Sequence, residues 1–245
     1  MKKPQNRFIE EIEKDSAGSF AGSSENRSSG AGVAGKNDSS RKCGARRIPE
    51  MGYYLVVTDT EATERCYFTG LHQSLPKEIQ NKLVIKVVET RTQDMIQKCL
   101  EMTAYDAQYR IPWIVFDRDE GQDFDCIIQR AQSAGIQVGW SNPCFEIWMF
   151  GYFGSMPAIH ESWTCCKRFE DIFQKRTGHP YSKADEDLYR RLIENGNEAE
   201  ALKIAARKRE QCLRDGKLVP SEMCPCTTVY ELVGEIRGKV DNNTQ

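Results

Sequence analysis

Pro112-Trp113-Ile114-Val115-Phe116-Asp117-Arg118-Asp119-Glu120 is the stretch on which the fold turns. Its aromatic and β-branched run reads as a strand buried on both faces. The run ends in two aspartates one residue apart, Asp117 and Asp119. A buried strand delivers such carboxylates to the carboxyl edge of a sheet, and residues so spaced on an extended chain point the same way. Two hard oxygen donors in that arrangement suit Mg²⁺, or Mn²⁺ in its place, with water and phosphate completing the shell. The plainer reading is that such acids cap the following helix or sit in a solvated loop.

Working outward, the pattern alternates. Tyr53 to Thr58 is a continuous apolar run with strand character. Thr60 to Gly70 has helical character, with Thr60 or Thr63 as cap, Glu61 and Glu64 at the positive amino end, and Gly70 and Pro76 marking its exit. Leu83 to Val88 is the second strand. Thr90 or Thr92 caps a helix running to about Tyr105. Pro112 to Phe116 is the third strand. A helix from Asp123 to Ala134 follows, stopped by Gly135, and Ile136 to Trp140 is the fourth strand. Strand and helix in alternation predict an α/β fold with a mainly parallel sheet. After Asn142-Pro143 the spacing is helical throughout, over 145–153, 166–176, 185–194, 198–214 and 227–239. The expected organisation is a leader over 1–50, an α/β core over 51–154 and a helical extension over 155–240.

Within the leader, Asn6 to Lys14 has the spacing of a short charged helix, and Asp15 to Ser40 has the Ser, Gly, Ala and Asn composition of a flexible or disordered segment. Arg41-Lys42 and Arg46-Arg47 form a basic cluster, either solvated or touching phosphates. Across its 245 residues the chain has a formal charge of −2, so nucleic-acid binding requires a local basic face rather than bulk charge. No run approaches the ~18 apolar residues of a membrane span. The charged amino terminus has no apolar core segment of a secretory signal, and the ten cysteines are expected to be reduced thiols in the cytoplasm. Neither Cys165-Cys166 nor Cys224-Pro225-Cys226 has the gap of about two to four residues typical of a zinc knuckle, so buried thiols are expected.

Three acidic positions are predicted to converge. Asp59 follows the first strand, and Asp117 and Asp119 follow the third; in a parallel sheet both ends lie on one side. A further carboxylate could activate water or accept a proton. Ser141-Asn142-Pro143-Cys144-Phe145-Glu146-Ile147-Trp148 belongs at the same edge. Asn142 and Glu146 are polar groups among apolar ones and need partners. Glu146 is either a metal or proton-transfer group, or a structural buried carboxylate. In the late helix, Lys203, Arg207, Lys208 and Arg214 either steer a phosphate backbone or form an ordinary solvated face.

These residues carry a resemblance. Asp59-Thr60-Glu61-Ala62-Thr63-Glu64-Arg65-Cys66-Tyr67-Phe68 resembles the opening motif of the RloB-like family, Glu-Gly-x-x-Thr-Glu-x-x-Tyr-Phe. Phe116-Asp117-Arg118-Asp119 is similar to its Phe-Asp-x-Asp, and Ser141 to Trp148 to its Ser-Asn-Pro-x-Phe-Glu-x-Trp. Tyr181, Lys183 and the segment from Thr227 to Val233 resemble its carboxyl-terminal pattern. The resemblance implies a Toprim-like core and Mg²⁺-dependent cleavage of nucleic-acid phosphodiesters, in RNA such as tRNA or in DNA. It also implies a place in bacterial defence against phage by abortive infection, beside an ATPase of the ABC or SMC type. On that pattern Asp117 and Asp119 hold metal, Asp59, Glu64 and Glu146 are catalytic, and Ser141, Asn142, Lys203 and Arg207 contact substrate. Three departures stand out: Asp59 where the family has Glu, Thr60 where it has Gly, and Tyr152 where it has His. A shorter carboxylate displaces the reacting oxygen by about 1 Å, on the order of 100-fold in rate where nothing compensates. The alternative is a non-catalytic partner of an ATPase with a degenerate metal site. A phosphatase or primase-type nucleotidyl transferase on the same core is a third reading, since a fold does not name its chemistry.

Overall fold

A computed structural model describes residues 49–60, 62–105, 111–118 and 123–243 of the protein. Residues 1–48, on which the expected short helix and the basic cluster fall, and Glu61, Asp119, Glu120 and Gly121, lie outside the described residues. The elements run β1 (Gly52–Thr58), α1 (Ala62–Ser74), α2 (Lys77–Gln80), β2 (Leu83–Glu89), α3 (Met95–Tyr105), β3 (Ile111–Asp117), α4 (Phe124–Ser133), β4 (Gln137–Asn142), α5 (Glu146–Phe150), α6 (Ser162–Thr177), α7 (Leu188–Asn195), α8 (Glu198–Arg214), β5 (Cys226–Thr227) and α9 (Val229–Asn242). Short 3-10 turns occupy Thr92–Asp94, Gly151–Phe153 and Pro220–Glu222.

The fold is α/β, as the alternation predicted. The sheet order is β2-β1-β3-β4-β5, with the first four strands parallel and β5 antiparallel to β4. The face on which residues are buried alternates along the strands. Tyr54 and Val56 of β1, with Trp113 and Val115 of β3, join the core that also holds Tyr67, Phe68 and Leu71 of α1. Leu55, Val57, Ile114 and Phe116 join a second core with Met95 and Cys99 of α3 and Phe124 and Ile128 of α4. Helices therefore cover both faces. The cause is the order of connection: β1 leads to β2 on one side, and the chain then returns past β1 to β3. Right-handed crossovers in opposite directions deposit their helices on opposite faces. The reversal between β1 and β3 is a topological switch point, where open α/β sheets form a crevice outside the strand ends.

Helices dominate the chain beyond residue 154, as expected, but they share a core with the sheet. Phe169 and Phe173 of α6, Leu188 and Tyr189 of α7 and Leu232, Val233 and Ile236 of α9 are fully buried in the core beneath β1 and β3. The two-residue strand β5 pairs Thr227 with Ser141 and Cys226 with Asn142. Sequence spacing missed β5 because two residues are too few to show a period.

A polar hub ties the later helices to the earlier ones. The Glu198 carboxylate, at the start of α8, accepts hydrogen bonds from the Tyr152 and Tyr189 hydroxyls at 2.9 and 2.7 Å and pairs with Arg237 of α9 at 2.5 Å. The Tyr152 hydroxyl is also 2.6 Å from that of Tyr67 in α1. Burial is the first cause that pushes the Tyr67 and Tyr152 phenols well above their ordinary pKa, with the Glu198 charge adding to it. Gly70 lies inside α1 rather than at its exit, because α7 crosses there: a Cβ on Gly70 would sit 2.6 Å from Cβ of Tyr189.

Two variants test this packing by chemical denaturation. Gly70→Ala should destabilise the fold by about 1–3 kcal/mol through overpacking. Gly238→Ala, in α9 with nothing within 4 Å of the new Cβ, should be neutral or stabilising by up to about 1 kcal/mol. Glu198→Ala should cost about 2 kcal/mol. That is less than the ~3–5 of a fully buried pair, because Glu198 and Arg237 keep some solvent contact that screens the charge.

Candidate active site at the carboxyl rim

The rim gathers the ends of β1, β3 and β4. Thr58 pairs with Val115 across β1 and β3, so one further step sets Asp59 level with Phe116 and Asp117 one residue beyond. Asp117 pairs across with Ser141. The carboxylates that follow the two strands at the switch point are therefore Asp59 and Asp117.

Both are hydrogen-bonded, on opposite sides. One Asp59 oxygen accepts from the Thr60 amide at 2.6 Å and the Thr60 hydroxyl at 3.2 Å, and the other accepts from the Thr92 hydroxyl. Thr92 was a cap candidate in the sequence; it follows β2 and draws Asp59 that way. An Asp117 oxygen accepts from the Phe145 amide at 3.3 Å, on the β4 side. Asp119 lies outside the described residues. Among the described residues, no trio of His, Cys, Asp or Glu that includes Asp59, Glu64 or Asp117 comes within metal-sharing distance.

The other predicted residues fall into three places. Glu64 is buried in the first turn of α1. Ser141 and Asn142 are buried with their side chains turned into the fold: the Ser141 hydroxyl lies 2.9 Å from that of Thr227, and the Asn142 amide donates to the Pro220 and Ser221 carbonyls. They pin β5 and the preceding turn to β4. Arg118 adds a bond from its guanidinium to the Ser221 carbonyl. Lys203 and Arg207 are exposed on α8, which packs on β5 beside the β4 end of the rim. Arg207 is paired with Glu200 at 2.8 Å, an exposed contact worth little that a phosphate can displace.

Glu146 opens α5 and is 1% exposed. Its carboxylate accepts from the Tyr181 hydroxyl at 2.7 Å, and the thiols of Cys144 and Cys166 lie beside it. Burial first, and then the Glu146 charge, push the Tyr181 phenol far above its ordinary pKa. Tyr181 had stood out in the sequence as part of a pattern, but spacing could not reveal that it serves Glu146 from 35 residues away. Cys166 was weighed in the sequence only with its neighbour Cys165, and Cys144 had no signal of its own. Tyr152, the departure from a family His, belongs to the Glu198 hub in the core, so that change bears on packing rather than on the rim.

The fold and rim define an α/β protein with a mainly parallel sheet, doubly covered, and acidic groups at the switch point. The chain belongs to the RloB-like family, whose model, described as RloB-like protein, matches residues 54–236. Comparisons with curated proteins and with solved structures returned no match. Among the described residues no helix is long and apolar enough to cross a membrane.

Tyr181→Phe removes one hydrogen bond to a buried carboxylate and leaves the ring in place. It should lower stability by about 1.5–3 kcal/mol, measured by urea unfolding at neutral pH.

Proposed function

We propose that this RloB-like chain is a Mg²⁺-dependent endonuclease on a Toprim-like core, an effector of bacterial anti-phage defence held in check by an ABC- or SMC-type ATPase in the cytoplasm. The observation that carries the reading is the position of Asp59 and Asp117, on the two strands that flank the switch point, where α/β sheets bind their ligands. The donor set suits the ion: carboxylate oxygens are the ligands Mg²⁺ prefers, and it commonly takes only one or two of them, with water and substrate phosphate filling the remainder.

Asp117, with Asp119, would hold the ion. When bound, Mg²⁺ supplies positive charge for the phosphate oxygens and lowers the pKa of a water. Asp59 or Glu64 accepts the proton of the attacking water. Glu146 supports the site by fixing the start of α5, whose neighbouring Phe145 amide holds Asp117. Lys203 and Arg207 steer the substrate backbone through a contact that weakens with salt.

A second reading has its own observation. Both Asp59 oxygens are engaged by threonine groups, which is how an aspartate holds a turn. On that reading the chain is a non-catalytic subunit docked on the ATPase.

Incubation of the full chain, with and without the ATPase, with tRNA, other RNA and DNA separates the two. The nuclease reading expects cleavage in Mg²⁺, none in EDTA, and a loss on the order of 100-fold or more in Asp117→Ala and Asp59→Asn. Cleavage that survives Asp117→Ala rejects it. A stable ATPase complex with no cleavage, and an Asp59→Asn variant altered only in stability, selects the second reading.

A further inference from the structure

Two cysteines separated by 22 residues meet a buried carboxylate on the face of the fold where α5, α6 and Tyr181 come together. The Sγ atoms of Cys144 and Cys166 are 3.9 Å apart, and with a Glu146 oxygen they form a trio in which every ligand atom lies within 4.8 Å of the others. Cys144 and Glu146 are 3% and 1% exposed, while Cys166 is partly open. An open surface pocket of about 250 Å³, lined by Trp163, Cys166, Tyr181 and Lys183 among others, brings solvent to Cys166 and to the Tyr181 that bonds Glu146.

From this arrangement we infer that Cys144, Glu146 and Cys166 form a binding site for a divalent cation of the Zn²⁺ class. It is distinct from the hard-oxygen rim and independent of whether the rim cleaves nucleic acid. The geometry agrees with the ion. Tetrahedral zinc with Zn–S bonds of about 2.3 Å sets its sulfurs about 3.8 Å apart, and the thiols stand at 3.9 Å without adjustment. Two soft sulfur ligands beside one hard carboxylate favour Zn²⁺ over Mg²⁺. Three protein ligands leave a fourth position, and the pocket at Cys166 gives water or a small anion a way to it. The outer shell is in place as well: the Tyr181 hydroxyl donates to the ligand carboxylate at 2.7 Å, the kind of partner that orients metal ligands. Lys183 lines the same pocket as Cys166, and its positive charge offsets the negative charge that two thiolates and a carboxylate bring to one ion.

Zinc takes cysteine as the thiolate, so as the two metal–sulfur bonds form the thiol protons would leave to solvent. The cysteine groups weighed for zinc in the sequence, and set aside there for their spacing, were Cys165-Cys166 and Cys224-Pro225-Cys226. In the fold these do not meet: the Cys224 thiol faces the Ile159 and His160 carbonyls, and Cys226 lies with Cys212 in the opposite core.

The test is metal binding by the reduced full chain, read by Zn²⁺ competition with a chromophoric chelator and by Co²⁺ substitution. The expected result is one equivalent of Zn²⁺ and, with Co²⁺, visible d–d bands and a thiolate-to-metal charge-transfer band. Cys166→Ser and Glu146→Gln should each weaken binding beyond the roughly 10-fold expected for Tyr181→Phe, which removes only an outer partner. Cys126→Ser, at an exposed thiol, should bind as the parent does. Cys166 is partly exposed, so its serine variant should keep the parent's circular dichroism and melting behaviour even if Glu146→Gln unfolds. No uptake by the reduced chain, or uptake equal in parent and Cys166→Ser, overturns the site. Loss of nuclease activity, or its absence, has no bearing on this readout.

Discussion

A sheet covered on both faces leaves its polar groups only two exits, the rims at either end of the strands. That constraint organises the molecule. Residues 54–57 of β1 and 113–116 of β3 are buried without interruption, alternately against one layer of helices and the other. A charged side chain within those runs would be stranded in an apolar interior at a cost of several kcal/mol. The acids appear one step later, at Asp59 and Asp117. The strand order reverses between those same strands, so the only place left for carboxylates is also the place where an α/β sheet opens a crevice.

The layer beneath the sheet is supplied largely by the chain beyond residue 154, whose helices share one core with β1 and β3. Removing α6, α7 and α9 would expose Val56, Trp113 and Val115 together with much of α1. The Glu198 carboxylate gives this layer its register: tyrosines from α7 and the 3-10 turn after α5, and an arginine from α9, converge on one acidic group. Aromatic edges close around it, with Tyr67 in edge-to-face contact with Phe145, Trp148 and Tyr189. Gly70 and Gly151 permit the close approach, since a Cβ at either would press on Tyr189 or Ala201.

One short segment connects the two chemical centres. The Phe145 amide donates to Asp117 at the rim, and the next residue, Glu146, accepts from Tyr181 among the thiols. α5 is buried along its length, so it cannot shift without moving both. On the other flank, Thr60 and Thr92 fix the direction of the Asp59 carboxylate.

By itself the sequence determined the α/β class, the four parallel strands and most helices, because buried strands and amphipathic helices write their periods into consecutive residues. It also determined which acids stand at strand ends, since Asp59 and Asp117 directly follow apolar runs. Only the tertiary structure decided what those side chains bond to. Nothing local in Thr92, Tyr181 or Cys166 announces Asp59, Glu146 or Cys144, because each pairing closes across elements far apart in the chain. The inward turn of Ser141 and Asn142 has the same origin: it depends on β5, a strand of two residues that carries no period and exists because β4 offers it an edge. Patterns record the burial of backbone segments, whereas partnerships between single side chains are settled only when the layers pack.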